Sequence, residues 1–145
     1  MSTIRRSAIV PYSDAEMFAL VADIASYPKF LPWCSDARIL KAEEGAVEAA
    51  LTIAYRGVHK TFTTRNVWQT DKAMEIRLVE GPFRHLHGFW RFTALAVRAS
   101  KVELDLDFEV ANRLLSTVLT PVFTHIAGQL VDAFHARANA LYGQR

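Results

Sequence analysis

Alternation of apolar and polar residues through the middle of the chain predicts an antiparallel sheet. The clearest segment runs from Lys101 to Val110, where odd-numbered residues are charged and even-numbered residues are apolar. Such separation is typical of a strand with one face on the core and the other in water. Weaker alternation, bounded by turn-forming residues, predicts six further strands, at 3–10, 36–44, 47–55, 59–69, 73–80 and 86–92.

Residue pairs typical of tight turns separate several of these strands, so consecutive strands are expected to pair. The predicted hairpin turns are Glu44-Gly45, Arg56-Gly57, Asp71-Lys72 and Ala99-Ser100. The resulting sheet would have an apolar inner face and a charged outer face.

Two segments have helical periodicity instead. Ser13 and Glu16 form a capping-box pattern, which predicts a helix from Asp14 to about Ser26 that ends before Pro28. From Asn112 onward, apolar residues recur every three or four positions and predict a helix of about 30 residues. Pro121 lies inside this second helix, and we expect a kink or a tightened turn there.

The order of elements predicts an α+β fold in which a curved antiparallel sheet of about seven strands wraps around one long C-terminal helix. No linker or repeat divides the chain, so residues 1–145 are expected to form a single domain. Aromatic residues crowd the inward positions of the sheet. They fit an ordinary core, and they equally fit a cavity left underfilled where one helix covers seven strands.

Composition narrows the class of protein. The net charge of +2 is too small to demand a nucleic-acid partner, and no DNA partner is expected. The one cysteine, Cys34, excludes an internal disulfide and a multi-cysteine metal site. The first ten residues lack the apolar core of a secretory signal, and no segment has the roughly 20 apolar residues that span a bilayer. A cytoplasmic protein is therefore expected.

The segment 27–34, Tyr-Pro-Lys-Phe-Leu-Pro-Trp-Cys, is unusually apolar for a loop. One interpretation is a plug packed against the end of the long helix. The other is a hydrophobic lip at the mouth of a cavity, or an edge that touches a membrane.

This segment, together with 52–57 (Thr-Ile-Ala-Tyr-Arg-Gly), 62–66 (Phe-Thr-Thr-Arg-Asn), Gly-Pro-Phe at 81–83 and Leu-His-Gly-Phe-Trp-Arg-Phe at 86–92, resembles the coenzyme Q-binding START-domain family. That family is part of the polyketide cyclase/dehydrase and lipid-transport superfamily, and it includes bacterial ribosome-association toxins. The resemblance covers nearly the whole chain. It implies the helix-grip fold, with one START-like lipid-binding domain.

The resemblance also implies alternative functions. The first is non-catalytic binding of ubiquinone or a similar isoprenoid lipid in the sheet–helix cavity, in support of respiration, by a cytoplasmic protein that could lie at the periphery of the inner membrane. The second is binding of the large ribosomal subunit so that the subunits cannot join. A third, an aromatase/cyclase-type enzyme, predicts an internal acid or base. No cofactor, catalytic residue or metal is expected.

For the lipid-binding alternative, the candidate ligand contacts are the inward and loop residues of the predicted cavity. They are Phe30, Leu31, Trp33, Leu51, Ile53, Tyr55, Phe62, Asn66, Trp68, Leu78, Phe83, Trp90, Phe92, Leu106, Phe108, Val122, Phe123, Ile126 and Leu130. The expected inward polar groups are Thr64, Asn66, Tyr55 and Glu80. A donor such as the Tyr55 hydroxyl or the Asn66 amide could orient a quinone carbonyl, or these groups could simply bond backbone atoms or buried water.

Other candidate chemistry is weaker. His85 and His87 share a strand face but lack a third ligand, so no zinc site is predicted. Cys34 has no neighbouring base, which favours a structural thiol. For ribosome contact, six basic residues on adjacent hairpins could gather into a phosphate-binding patch: Arg56, Lys60, Arg65, Arg77, Arg84 and Arg91.

Overall fold

The computed structural model describes residues 1–69 and 72–145. Its elements, in chain order, are β1 (Ser2–Val10), α1 (Asp14–Ala22), a 3₁₀-helix (Ile24–Lys29), β2 (Cys34–Glu43), β3 (Ala46–Tyr55), β4 (Val58–Trp68), β5 (Ala73–Glu80), β6 (Phe83–Ala96), β7 (Ala99–Val110), α2 (Arg113–Gly128) and α3 (Leu130–Tyr142). The strands form one antiparallel sheet in the order β1-β7-β6-β5-β4-β3-β2. The predicted fold class is confirmed.

The central strands β6 and β7 set the two faces of the sheet. Their register places Trp90 opposite Leu104 and Phe92 opposite Val102 on the inner face, where all four are buried. Asp105 and the other acids of β7 lie on the outer face, opposite odd-numbered residues of β6. The strict alternation along β7 therefore specifies which side of the sheet receives the helices.

The start of α1 follows its sequence signature. The Glu16 amide donates to Ser13 Oγ (3.0 Å), and the Ser13 amide donates to Glu16 Oε1 (2.9 Å), which completes a capping box. The α-helix ends at Ala22, about four residues earlier than predicted, and continues as the 3₁₀-helix. Where the helix changes type, the Ser26 hydroxyl donates to the Asp23 carboxylate (2.6 Å). Local side-chain bonds of this kind compete with the hydrogen bonds of a regular helix.

The C-terminal helical region is two helices rather than one. Pro121 lies inside α2 without ending it, and the chain bends by 42° at Gln129, between α2 and α3. The break in this helical region thus lies at Gln129, after Pro121. Gly128 precedes the bend, and a Cβ added there would lie 3.3 Å from the Arg6 guanidinium of β1. Glycine weakens the helix at this point and allows it to approach the strand closely.

The hairpin turns are mostly as predicted. Arg56 and Gly57 both have positive φ (49° and 81°), the conformation that favours a tight hairpin between β3 and β4. The turn predicted at Ala99-Ser100 is wrong: β7 already begins at Ala99, and the turn consists of residues 97–98. Ser100 is fully buried and donates to the Tyr12 carbonyl (2.9 Å). The turn predicted at Asp71-Lys72 includes Asp71, which lies outside the described residues.

Aromatic side chains fill much of the space between the sheet and α2. Phe123 of α2 packs against Phe83 and Phe108, with ring centroids 4.9 Å and 4.7 Å away, and against Phe62 at 5.9 Å. Each such ring contributes about 1.5–3 kcal/mol when it is fully buried. This cluster closes one end of the sheet–helix interface.

Among the described residues, no single helix has the length and apolar composition to cross a membrane. Helices α2 and α3 together meet that length and composition, but they are bent relative to each other.

Candidate functional site

A small cavity lies between the inner face of the sheet and the junction of α2 and α3. It encloses about 70 Å³ and is lined by Tyr27, Trp33, Leu51, Phe62, Thr64, Asn66, Ile76, Leu86, Trp90, Leu106, Phe123, Ile126, Ala127, Leu130 and Phe134. Pockets for drug-sized ligands have roughly 300–1,000 Å³, and an engineered cavity of about 150 Å³ holds benzene. A lipid or quinone head group would therefore enter only if α2 or the neighbouring loop moved outward.

One polar pair interrupts the apolar wall of this cavity. The Thr64 hydroxyl donates to Asn66 Oδ1 (2.9 Å), and both side chains belong to the inner face of β4. Within the described residues, the partner of Asn66 Nδ2 is the Met74 thioether at 3.6 Å, a weak acceptor. The amide nitrogen thus keeps hydrogen-bonding capacity for an acceptor such as a carbonyl oxygen.

Nine of the nineteen residues predicted as ligand contacts line the cavity. They are Trp33, Leu51, Phe62, Asn66, Trp90, Leu106, Phe123, Ile126 and Leu130. Six others belong to the packed core instead: Leu31, Ile53, Phe83, Phe92, Phe108 and Val122. Leu78 is partly buried on β5, Trp68 packs edge-to-face on Phe18, and Phe30 packs on Phe134. Tyr55 stacks on His125 of α2.

Six residues that line the cavity were not among the predicted ligand contacts. They are Tyr27, Thr64, Ile76, Leu86, Ala127 and Phe134. Strand parity places Leu86 and Thr64 on the inner face, and Phe134 follows Leu130 at helical spacing, so sequence signals existed for these three. Glu80, expected to point inward, is exposed at the end of β5. The prediction of an inward Glu80 is wrong because a register shift in the β4–β5 pair places Glu80 opposite Thr63 instead of the inward Phe62.

The apolar loop packs as a plug against α3. Tyr27 and Phe30 both meet the Phe134 ring edge-to-face, at 5.4 Å and 5.3 Å, and Leu31 is only 1% exposed. The Tyr27 hydroxyl donates to the Val21 carbonyl (2.5 Å), and burial raises the pKa of Tyr27 above its ordinary value. Because Tyr27 and Trp33 also line the cavity, the plug forms part of the cavity wall.

The side chains that line this cavity are poorly suited to acid–base catalysis. None of the described residues that line it is Asp, Glu, His, Lys, Arg or Cys. Cys34 lies nearby in the core at the start of β2, where burial raises the pKa of its thiol to about 11. The thiol bonds the Asp36 carbonyl (3.4 Å), as a structural cysteine does.

The histidines of β6 lie on the outer face of the sheet. His87 Nε2 is 2.8 Å from Glu75 Oε2, and the His85 and His87 ring centroids are 6.4 Å apart. The bond from His87, aided by Arg77, lowers the pKa of Glu75. Across the parts of the chain that the structure describes, no three His, Cys, Asp or Glu side chains converge as metal ligands would.

The six basic residues proposed as a phosphate-binding patch do not form one as a set. Four of them are paired with acids on the outer face: Arg65 with Glu43 (3.2 Å), Arg77 with Glu75 (2.9 Å), Arg84 with Glu109 (3.8 Å) and Arg91 with Asp105 (2.9 Å). These acids cancel most of the positive potential that phosphate binding requires. Arg56 and Lys60, at the tip of the β3–β4 hairpin, are the two without such a partner in the described chain.

Comparison with known proteins places the chain in a family. Residues 10–135 match the family model described as polyketide cyclase / dehydrase and lipid transport. The chain belongs to this family. The aromatase/cyclase Zhui from Streptomyces sp. R1128 has the same fold, with a TM-score of 0.84 over 95% of this chain and 93% of that one, at 19% identity.

Named relatives of the chain include a ribosome association toxin and a coenzyme Q-binding protein. The chain is 46% identical over 144 residues to ribosome association toxin RatA of Pseudomonas aeruginosa, which covers 99% of this chain and all of that protein. It is 43% identical to the protein of the same name in Escherichia coli, over the whole chain and 92% of that protein. It is 27% identical to coenzyme Q-binding protein COQ10 homolog B, mitochondrial, of Xenopus laevis, over 96% of this chain and 59% of that protein.

Proposed function

We propose that this protein associates with the large ribosomal subunit and prevents the two subunits from joining. The observation that carries the proposal is the 46% identity to a ribosome association toxin over 99% of the chain. This function, the second of those that the family resemblance implies, thus becomes the first. Ribosome association also agrees with the expected cytoplasmic location.

The geometry of the interior supports binding over catalysis. The cavity holds about 70 Å³, and no carboxylate, imidazole or amine of the described chain lines it. A cyclase would need a positioned acid or base beside its substrate. The functional surface of a ribosome-binding protein is instead its exterior.

Co-sedimentation with isolated ribosomal subunits tests the proposal. The purified protein is layered with large or small subunits on a sucrose cushion at low salt, and the pellets are probed for the protein. We expect the protein in the large-subunit pellet and not in the small-subunit pellet. Absence from both pellets at low salt, with a protein shown to be folded by circular dichroism, would overturn the proposal.

A second function, binding of a hydrophobic ligand such as ubiquinone, is supported by the cavity itself. Its wall is apolar apart from Thr64 and Asn66, and the Asn66 amide nitrogen has only the Met74 sulfur as a partner in the described chain. A quinone carbonyl would be a better acceptor. Because the cavity is small, this function also requires outward movement of α2 or of the 27–34 loop. The two functions are compatible, since one uses the interior and the other the exterior.

Substitution of Ile126, which lines the cavity from α2, separates the two functions. Ile126→Trp fills the cavity, so we expect loss of ubiquinone binding by native mass spectrometry and unchanged co-sedimentation with ribosomes. Ile126→Val is the matched control that leaves the cavity open. Ubiquinone binding that survives in folded Ile126→Trp would exclude this cavity as the site.

A further inference from the structure

The acidic residues of this chain are unevenly distributed. None of the 15 Asp and Glu residues lies in 49–70 or in 110–131, two stretches of the sequence that contain Arg56, His59, Lys60, Arg113 and His125. These stretches include the β3–β4 hairpin and the whole of α2. On the outer sheet face, by contrast, acids alternate with arginines and pair with them.

The two acid-free stretches meet in space. The Tyr55 ring, at the end of β3, stacks on the His125 imidazole of α2, with centroids 5.9 Å apart and planes at 8°. The Arg56 guanidinium lies 4.9 Å above the Tyr55 ring. A hairpin tip and a helix without acids are thereby joined into one surface, and planar groups that can stack on bases lie at the junction. In the described chain, Arg56, Lys60 and Arg113 have no ion-pair partner.

A groove of about 570 Å³ continues this surface along α2, beside the ends of β6 and β7. Its walls are largely apolar, and the polar side chains among them are Arg84, Asn112, Arg113, Ser116, Thr117 and Thr120. One acid, Glu109, also lines it and is 3.8 Å from Arg84. The Arg84 guanidinium already donates to the Ala111 carbonyl, and the three hydroxyls make hydrogen bonds within α2. Arg113 is the cation of this groove that has no partner in the described chain and can meet a phosphate oxygen.

We infer that this surface, formed by the β3–β4 hairpin tip, the solvent face of α2 and the adjacent groove, is where ribosomal RNA binds. We call it the α2 surface. The inference rests on the proposed ribosome association and specifies which side of the molecule performs it. Arg56, Lys60 and Arg113 outnumber the one acid of this surface, Glu109, and such an excess of positive charge is the electrostatic footprint of a phosphate-binding surface.

A membrane is the competing partner for a helix with exposed apolar residues. Leu114 is 83% exposed and Val118 52% exposed on α2. These two side chains lie on the same helix as Arg113, whose charge has no partner in the described chain. The 46% identity to a ribosome association toxin favours RNA over a membrane as the partner of these charges.

The test measures binding to purified ribosomes by co-sedimentation across a salt series. The test variant, Lys60→Glu/Arg113→Glu, changes two residues of the α2 surface. Neither residue has positive φ, so neither position requires a special backbone conformation. The matched control, Lys29→Glu/Arg98→Glu, makes the same change in charge at two exposed residues outside the α2 surface, in the 3₁₀-helix and the β6–β7 turn. We expect the α2-surface variant to bind at least about 10-fold more weakly and the salt slope to fall by about 2, with the control unchanged. Arg56→Gln serves as a milder second variant.

Three other outcomes of these binding measurements would each contradict a different claim. If the wild-type protein does not pellet with ribosomes, the proposed function fails, and the inference with it. If it pellets and both double variants pellet equally well, ribosome association stands but the α2 surface is not the contact. Vesicles that contain anionic lipid are the last comparison. If they bind the wild-type protein and the control variant but not the α2-surface variant, while all three proteins bind ribosomes equally, the surface binds membranes and the RNA inference is overturned.

Discussion

Tyr55 stacks on His125, with ring centroids 5.9 Å apart and planes nearly parallel at 8°, and so joins the β3–β4 hairpin to the helix that covers the cavity. Both the interior cavity and the α2 surface adjoin this contact. If a ligand enters by movement of α2 away from the hairpin, that movement has to break this contact.

Removal of the Tyr55 ring should weaken the attachment of α2. We expect Tyr55→Leu to lower the free energy of unfolding by about 1 kcal/mol, since stacked aromatic pairs contribute about 0.5–1.5 kcal/mol beyond their buried area. Tyr55→Phe keeps the stack and should change stability by much less. Urea unfolding monitored by circular dichroism measures both, and equal losses for Leu and Phe would show that the hydroxyl, rather than the stack, matters.

The Thr64–Asn66 pair offers a double-mutant cycle inside the cavity. Asn66→Leu removes the acceptor of the Thr64 hydroxyl, and a buried hydroxyl left without a partner costs about 1–3 kcal/mol. Thr64→Val/Asn66→Leu removes both polar groups and should recover part of that loss. Chemical denaturation of the wild-type protein, both single variants and the double variant gives the coupling free energy. A coupling near zero would mean that the hydrogen bond does not stabilise the fold.

Glu16 should make stability depend on pH. Arg145 donates to both carboxylate oxygens, at 2.8 Å and 2.9 Å, and lowers the pKa of Glu16 from its ordinary 4.5 to about 2. A lowered pKa stabilises the fold above pH 4.5, and this contribution is lost as the pH falls from about 4.5 to about 2.

Glu16→Gln keeps the capping bond to Ser13 but removes the charge. We expect a loss of about 1 kcal/mol or less at pH 7, because the ion pair is partly exposed, and no difference from the wild type near pH 2. Thermal unfolding at several pH values is the measurement. A difference that persists unchanged at pH 2 would assign the loss to side-chain shape instead of charge.

Cys34 should react slowly in the native protein. Its thiol is buried and its pKa is raised to about 11, so little thiolate exists at pH 8. We expect a disulfide reagent that releases a coloured thiolate to label native Cys34 at least about 100-fold more slowly than the protein in 6 M guanidinium. Equal rates would place the thiol in contact with solvent.

Local sequence signals predicted most of the fold. The alternation around Leu104 and Phe108 identified the buried face of β7, and Ser13 with Glu16 identified the start of α1, because both depend on neighbours close in sequence. The break between α2 and α3 at Gln129 was missed because Pro121 is the stronger local signal, whereas a lone Gly128 inside an apolar helical pattern is a weaker one.

The cavity was harder to predict than the sheet. Strand parity states which face a residue occupies, but it does not state how far along the strand the helices leave free volume. Phe83 and Phe108 share the inner side with Phe62 and Leu106, yet the first two pack into solid core and the second two line the cavity. That difference depends on where Phe123 lies across the sheet, a tertiary contact that no local pattern records.

The central claim, interference with ribosome assembly, is tested most directly by the joining of purified subunits. Large and small subunits are mixed with magnesium, and light scattering follows the formation of intact ribosomes with and without the protein. We predict that stoichiometric wild-type protein lowers the amplitude severalfold, whereas the Lys60→Glu/Arg113→Glu variant lowers it much less. An amplitude unchanged by folded wild-type protein, at a concentration above that of the large subunits, would contradict the account.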